Sequence, residues 1–277
     1  MQKDHHQQRR LALGRIAVGV AGLAAPAIVR AADAPLPVVY PPPTSASDAR
    51  ASYYIELLGM VMRKSGVPFE MRAYDNKMVG ARVVQALEEN QGVTVSWIGR
   101  QDELDERLLP IKRELDHGIL GTRLMLIRER DREAFARIRS IDQLRNYSAG
   151  QQRDWIDTRI LRANGLPVVP AALYNSLFDM LAAGRFDYCP RGAVEIWDEQ
   201  RQYGKLGLIV EPTLALRYPF VTWFYVSRKN PALAQALEKG LQAAQADGSM
   251  ERLFDRYNGE ALRRARLSER TVFDLHI

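Results

Sequence analysis

The chain has 277 residues with 39 basic and 33 acidic side chains, a formal net charge of +6. Five of the basic residues and one acidic residue lie in residues 1–31, which leaves 34 against 32 in the remainder. The chain after residue 31 is therefore nearly neutral and has no Lys/Arg-rich block that could bind along a phosphate backbone. Nucleic acid is not an expected partner. The length suits two lobes, because single hydrophobic cores stop growing near ~250 residues.

Residues 1–31 have the features of a secretory signal peptide. Basic residues precede an apolar run from Ile16 to Val29, and Val29-Arg30-Ala31 forms a cleavage site of the kind that signal peptidase accepts, before Ala32. The run is shorter than the roughly 20 apolar residues that span a bilayer. The sequence therefore predicts export to the periplasm with cleavage before Ala32. The Sec route is favoured over the twin-arginine route, because "QRRLALG" lacks the phenylalanine and lysine that usually follow twin arginines.

Strand-like and helix-like segments alternate from Leu36 onward. "LPVVY", "VPFEMRAY", "VTVSWIG" and "GTRLMLIRE" are typical of strands, and "DARASYYIELLGMVMRKSG" is typical of an amphipathic helix. Further along, Asp154 is the expected N-cap of a helix, and Pro190-Arg191-Gly192 is expected to form a corner between a strand and a helix. Such alternation indicates parallel sheets with crossover helices. The predicted fold class is α/β.

The chain lacks the residue patterns of the common enzyme and cofactor classes. It contains no G-x-S-x-G, no H-E-x-x-H, no G-x-x-x-x-G-K-[ST] and no glycine triplet for a dinucleotide. His117 and His276, the histidines beyond residue 31, have no neighbours at metal-ligand spacing. Cys189 is the single cysteine and has no partner for an intramolecular disulfide. We therefore expect no cofactor, no metal and no catalytic residue.

Several segments, taken in order, carry a family resemblance: "ERLLPI", "LGTRLMLIR", "SIDQLRNYSAGQ", "LAAGRFDY" and "YVSRKNPALAQALEKGLQAAQADGSMERLF". Over roughly residues 36–260 the chain resembles the bacterial extracellular (periplasmic) solute-binding proteins, family 3 type, of polar amino-acid ABC transporters. The resemblance implies a two-lobed periplasmic-binding-protein-like (type II) fold, with two hinge strands joining two mostly parallel sheets that are flanked by helices. Lobe 1 is expected to comprise residues 32–121, lobe 2 residues 122–224, and residues 225–277 to return to lobe 1 and form the C-terminal tail.

The resemblance implies ligand contacts at three places, of which the first is a turn after the third strand. Arg107 matches the family arginine that clamps the ligand's α-carboxylate. A planar guanidinium suits this task because it donates two parallel hydrogen bonds to one carboxylate. The alternative is that Arg107 is a solvated residue in a charge-rich turn. Trp97, near this turn, is either a stacking platform for the ligand or part of the core.

The second place is the loop "GQQRDW" at the start of a helix in lobe 2. Gly150 matches the family's first glycine, whereas the second glycine and the hydroxyl residue of the family pattern are missing. Backbone N–H groups of Gly150, Gln151, Gln152 and Arg153 are expected to hold an anion at the helix start. Trp155 follows the loop and is expected to lie within reach of the ligand.

The third place is the end of the strand "FDYC". Family members that bind amino acids carry an aspartate there, which pairs with the ligand's ammonium. Counting from Asp187 leads to Arg191 or Gly192, so a positive charge stands where a negative one is expected. If Arg191 faces the cleft, a second anionic group on the ligand is the natural replacement. Otherwise Arg191 forms a surface ion pair with Glu195, one helical turn later.

The sequence thus predicts a monomeric periplasmic protein that binds a small anionic or zwitterionic solute, either amino-acid-like or an organic acid. An ABC permease in the inner membrane is the predicted partner. Two alternatives stay open. One is a dehydratase-like periplasmic enzyme on the same fold, with Glu195 or Glu106 as acid/base, and the other is a ligand-sensing module for a membrane receptor.

Overall fold

The computed structural model describes residues 34–43, 49–76, 78, 80–153 and 155–277. The predicted signal peptide and the predicted N-cap Asp154 lie outside these residues. Within the described part of the chain, no helix has the length and apolar character needed to cross a membrane.

The strands alternate with helices along much of the chain, as the sequence predicts. The strands are β1 Leu36–Tyr40, β2 Phe69–Ala73, β3 Val95–Gly99, β4 Leu109–Ile111, β5 Thr122–Arg128, β6 Ala149–Gln152, β7 Val168–Ala171, β8 Tyr188–Gly192, β9 Leu208–Val210, β10 Leu214–Arg217, β11 Thr222–Val226 and β12 Thr271–Asp274. The helices are α1 Ala49–Ser65, α2 Ala81–Glu89, α3 Asp102–Arg107, α4 Arg132–Phe135, α5 Ile141–Leu144, α6 Ile156–Ala163, α7 Ser176–Ala182, α8 Ile196–Tyr203, α9 Pro231–Ala246 and α10 Ser249–Ala265.

The sheets divide the fold into two parts, which we call lobe one and lobe two. Lobe one contains β1 paired in parallel with β2, and β3 and β4 paired antiparallel with β11. Lobe two contains a larger sheet in the order β12-β10-β5-β8-β6-β7, with β9 also paired to β5. The chain passes from lobe one to lobe two between β4 and β5, and it returns between β10 and β11.

Helices α1 and α9 form the packed layer of lobe one. Leu57, Leu58 and Val61 of α1 are fully buried, which confirms the helical spacing of apolar residues in this segment. Helix α9 begins with Pro231 after Asn230, whose side chain accepts the N–H of Leu233. The two helices approach so closely that a Cβ at Gly240 would lie 2.0 Å from the carbonyl oxygen of Val61.

The C-terminal segment is more ordered than the predicted tail. Helix α10 runs to Ala265, and residues 271–274 form β12, which pairs in parallel with β10 of lobe two. Phe273 and Leu275 are buried there. The end of the chain therefore belongs to the larger sheet. The exact lobe boundaries proposed from the resemblance stay a prediction.

The predicted Pro190-Arg191-Gly192 corner is wrong. These residues continue β8, where Pro190 pairs with Met125 and Arg191 with Leu124 of β5. Proline and glycine favour a turn locally, but the antiparallel pairing with β5 holds this segment extended. The turn comes after Gly192, and α8 begins at Ile196.

Candidate ligand-binding site

A cavity of about 520 Å³ lies at the carboxyl end of β3 in lobe one. The first turns of α2, the end of β3 and the helix α3 border it, and its lining includes Gly80, Ser96, Trp97, Gln101 and Arg107. The volume suits a small solute. The structure thus brings two of the predicted site residues, Arg107 and Trp97, into one cavity.

Arg107 is the last residue of α3 and is exposed. Its Nε donates to Oε1 of Glu88, and its Nη2 donates to Oε2 of the same carboxylate at 2.9 Å. These hydrogen bonds lower the pKa of Glu88 and raise that of Arg107. The guanidinium therefore presents the two-point geometry that suits a carboxylate.

Trp97 packs against core aromatics and also borders the cavity, whereas a ligand contact by its ring stays a prediction. It is half-buried and lines the cavity. Its ring also stacks on the buried ring of Tyr54, with centroids 5.3 Å apart and an interplanar angle of 17°, and lies 6.4 Å from the ring of Tyr40. Core aromatics therefore hold the indole in place.

In lobe two, Arg191 is buried and engaged in two ion pairs. Its Nε lies 2.9 Å from both oxygens of Glu199, and its Nη2 lies 2.6 Å from Oε1 of Glu199 and 2.9 Å from Oε1 of Glu195. The structure therefore shows the ion pair with Glu195 that the sequence offered as an alternative. The pair is buried rather than on the surface, and it has Glu199 as a further partner that the sequence analysis missed.

Two aromatic rings complete the surroundings of Arg191. The guanidinium carbon lies 4.6 Å from the centroid of Trp155 and 5.5 Å from that of Tyr174. The hydroxyl of Tyr174 donates to Glu199 at 2.7 Å. Burial alone lowers the pKa of Arg191, but the charges of Glu195 and Glu199 more than offset it, so the pKa lies well above its ordinary value.

A second buried ion pair lies beside this cluster. Nε of Arg123 lies 2.6 Å from Oδ1 of Asp157 in the first turn of α6, and the hydroxyl of Tyr218 donates to the same carboxylate oxygen. Burial raises the pKa of Asp157, but the charge of Arg123, the hydrogen bonds from Arg123 and Tyr218, and the charge of Arg191 together hold it below its ordinary value. The first turn of α6 thus already carries a negative charge.

The segment "GQQRDW" is not the expected anion-binding loop over most of its length. Gly150, Gln151 and Gln152 lie in β6 and pair with β7. A Cβ at Gly150 would lie 2.1 Å from the ring of Phe186, so this glycine permits close packing. The N–H of Arg153 donates to the Ala171 carbonyl.

The side chains of this segment have separate surroundings. Gln151 is fully buried; its Nε2 donates to the Pro190 carbonyl at 3.0 Å, and its Oε1 has no hydrogen-bond partner. The carbonyl of Gln152 accepts from Thr158, and the side chain of Arg153 is exposed. Ligand contacts by these residues stay a prediction.

A pattern in the sequence could have identified Glu199 as a partner of Arg191. Ile196 and Glu199 are the buried residues of α8, three positions apart on one helical face. A carboxylate on an apolar face needs a buried partner, and an arginine eight residues earlier was available. Tyr174 comes from the connection between β7 and α7, and no local pattern marks its contact with Arg191.

No protein-family model and no curated protein matches the chain. Solved structures do match it. A probable amino-acid ABC transporter extracellular-binding protein from Bacillus subtilis is 16% identical with a TM-score of 0.62, over 82% of this chain and 100% of that chain. An ancestral arginine-binding protein bound to arginine is 16% identical with a TM-score of 0.54, over 82% and 99%. A histidine kinase sensor domain with similarity to periplasmic binding proteins is 18% identical with a TM-score of 0.54, over 81% and 96%.

These likenesses confirm the predicted two-lobed α/β fold of the periplasmic-binding-protein type. At such identities they establish the fold alone. Two of these neighbours are binding proteins by description.

Proposed function

We propose that the protein is a periplasmic solute-binding protein that captures a zwitterionic, amino-acid-like solute for uptake by an ABC permease in the inner membrane. The observation that carries this proposal is the lobe-one cavity between β3, α2 and α3, whose lining residues include Arg107 and Trp97. A guanidinium matches the carboxylate of an amino acid, and an aromatic face suits its remaining atoms. The fold shared with amino-acid-binding proteins supports the same role.

We assign to Arg107 the contact with the solute's carboxylate. It now holds Glu88 in the same two-point geometry, with 51% of the Arg107 side chain and 29% of the Glu88 side chain exposed. An ion pair this accessible to water is weak and easily exchanged. An entering carboxylate therefore replaces or joins Glu88 at the guanidinium.

Lobe two favours an ammonium group on the solute over a second anionic group. Nε and Nη2 of Arg191 are already engaged with Glu199 and Glu195. This region contains two guanidinium groups and three carboxylates. Arg123 pairs with Asp157, and Arg191 pairs with Glu195 and Glu199. Among these five described side chains the negative charges outnumber the positive ones, so they offer no surplus positive charge to a second anion. Glu195 is the more exposed partner of Arg191, at 18% against 6% for Glu199, and we assign it the contact with the ammonium.

Export and partners follow from the same proposal. The basic, apolar and small-residue order of residues 1–31 supports export by the Sec route and cleavage before Ala32. The mature protein acts as a monomer that docks on an inner-membrane permease. The fold of the extracellular-binding protein from Bacillus subtilis supports this arrangement.

A sensing role is the second candidate, and the likeness to a histidine kinase sensor domain favours it. A sensor uses the same solute site but presents its bound form to a receptor. Gene neighbourhood separates the two roles, because a permease gene beside this one supports transport and a kinase gene supports sensing.

A thermal-shift screen tests the binding role. The mature protein is heated with single amino acids, organic acids and small oxyanions, and a solute at 100 times its Kd should stabilise it by ~2.7 kcal/mol. We expect the largest shift with an amino acid. If only dianionic acids shift the melting temperature, the zwitterion assignment is wrong, and if no compound does, the binding role loses its support.

Two variants test the site within that screen. Arg107→Ala should weaken binding of the best amino acid by roughly tenfold or more, because it removes a charge-assisted two-point contact. Glu88→Ala is the matched control: it frees the guanidinium from its present partner and should leave affinity unchanged or raise it. An equal loss of affinity in both variants would contradict the proposed contact between Arg107 and the solute's carboxylate.

A further inference from the structure

The guanidinium of Arg191 is surrounded by two carboxylates and two aromatic faces. We call this set of partners, Trp155, Tyr174, Glu195 and Glu199, the guanidinium cage. Glu199 accepts from Nε and Nη2, Glu195 lies 2.9 Å from Nη2, and the ring centroids of Trp155 and Tyr174 lie 4.6 and 5.5 Å from the guanidinium carbon. Flat aromatic faces and forked carboxylate contacts are the groups with which proteins bind planar cations.

The cage lies where a lobe of this type presents its ligand-binding groups. Arg191 is near the carboxyl end of β8, Trp155 follows β6, and Tyr174 follows β7. These strands are parallel, so their carboxyl ends meet at one edge of the sheet. That edge is the usual place for ligands in open α/β sheets.

We propose that the guanidinium cage is a subsite for a planar organic cation, which the chain fills with its own Arg191. The subsite in the wild-type protein is closed to a guanidinium group from outside. A solute that carries such a group on its side chain finds Glu199, Trp155 and Tyr174 already in contact with Arg191. This conclusion about the solute rests on the proposed amino-acid-binding function, whereas the cage itself does not.

The cage has more groups around its guanidinium than the sites of Arg123 and Arg217 have. Arg123 has one carboxylate partner, Asp157, and one ring, Tyr218, at 5.4 Å. Arg217 has a two-point pair with Asp274, but that pair is exposed. Arg217 is therefore a suitable control: its removal also leaves a carboxylate without its arginine, but in open water.

The test is chemical rescue by the guanidinium ion. Arg191→Ala, Arg217→Ala and wild-type protein are melted in 0–20 mM guanidinium chloride, with sodium chloride at equal ionic strength as the reference. We expect a rise in melting temperature of roughly 3 °C or more for Arg191→Ala. No rise is expected for the wild type, whose cage is filled, or for Arg217→Ala. A rise of equal size in all three, or in none, overturns the proposal.

A double variant and a folding measurement complete the test. Arg191→Ala with Glu199→Gln should lose most of the rescue, because the cage then lacks the carboxylate that holds the cation at two points. If Arg191→Ala does not fold in buffer, the same guanidinium concentrations should restore its circular dichroism spectrum. Failure to restore it, in conditions where Arg191→Lys folds, also overturns the proposal. The rescue needs no natural solute, so its failure is distinct from failure of the amino-acid screen on the wild type.

Discussion

Arg191 and Glu199 form a two-point ion pair in the interior of lobe two. Nε of Arg191 lies 2.9 Å from each carboxylate oxygen, and both side chains are less than a tenth exposed. Glu199 comes from the buried face of α8, so the pair ties this helix to the end of β8. In this low-dielectric setting each charge depends on the other for its solvation.

Glu199→Ala should destabilise the protein markedly. Removing one partner of a buried ion pair leaves the other charge poorly solvated, at a cost of about 3 kcal/mol. The retained Glu195 contact keeps the loss from being larger. Urea unfolding measures the change, and Asp274→Ala, which removes the exposed partner of Arg217, serves as the control with little expected effect. Similar midpoints for the two variants would contradict the buried pair.

Gly150→Ala should destabilise the protein by about 2 kcal/mol, because the added methyl group overlaps the ring of Phe186. Gly204→Ala is the control, since a Cβ there meets its nearest atom, Nε2 of Gln200, at 3.9 Å. The control should be neutral or slightly stabilising. Equal unfolding midpoints would show that Gly150 is not in close contact with Phe186 and would return the residue to the predicted ligand loop.

Glu114 should make stability fall as the pH rises through neutrality. The Glu114 residue is half-buried, and its Oε1 accepts a hydrogen bond from the N–H of Asp116. Burial raises the pKa of the carboxyl to about 7, and the side-chain hydrogen bond and the charge of Asp116 contribute to the same shift. Because the folded state holds this proton more tightly than the unfolded chain does, the stabilisation is present at acid pH and is lost as the pH rises towards 7. Solvent screening limits the loss to roughly 1 kcal/mol.

The measurement compares wild type and Glu114→Gln by urea unfolding between pH 5 and pH 8. The difference between the two proteins cancels the contributions of groups that do not interact with Glu114. The wild type should lose stability relative to Glu114→Gln as the pH rises. A flat difference would show that the pKa of the Glu114 carboxyl is not raised by folding, and a difference of opposite sign would show that folding lowers it.

The mature chain from the native host should begin at Ala32. Edman sequencing or intact mass of the periplasmic fraction gives the terminus directly. Cytoplasmic protein that retains Met1 to Ala31 would contradict export, and a mature form that begins at Pro35 would move the cleavage site to Ala34.

Much of the fold was predictable because it is encoded in local patterns. The spacing of Leu57, Leu58 and Val61 predicts α1, and Asn230-Pro231 predicts the start of α9. The end of β8 was not predictable in this way. Pro190 and Gly192 favour a turn locally, and only pairing with β5, far away in sequence, holds them extended.

The candidate site was predictable in part. The family pattern led to Arg107, and the structure places it in a cavity with Trp97. The pattern also drew attention to Arg191 but not to its surroundings, because Glu199, Trp155 and Tyr174 come from three separate elements. Contacts of this kind depend on how the elements pack, which no single segment of the sequence encodes.

The most direct test of the binding role is to recover the bound solute. The mature protein is incubated with an equimolar mixture of amino acids and organic acids, separated by rapid gel filtration and denatured, and the released compounds are quantified by mass spectrometry. We expect one or a few amino acids, unchanged and at about one molecule per chain, with their total amount in the mixture conserved. Depletion of a compound with appearance of a product would show an enzyme, and retention of none would contradict the account.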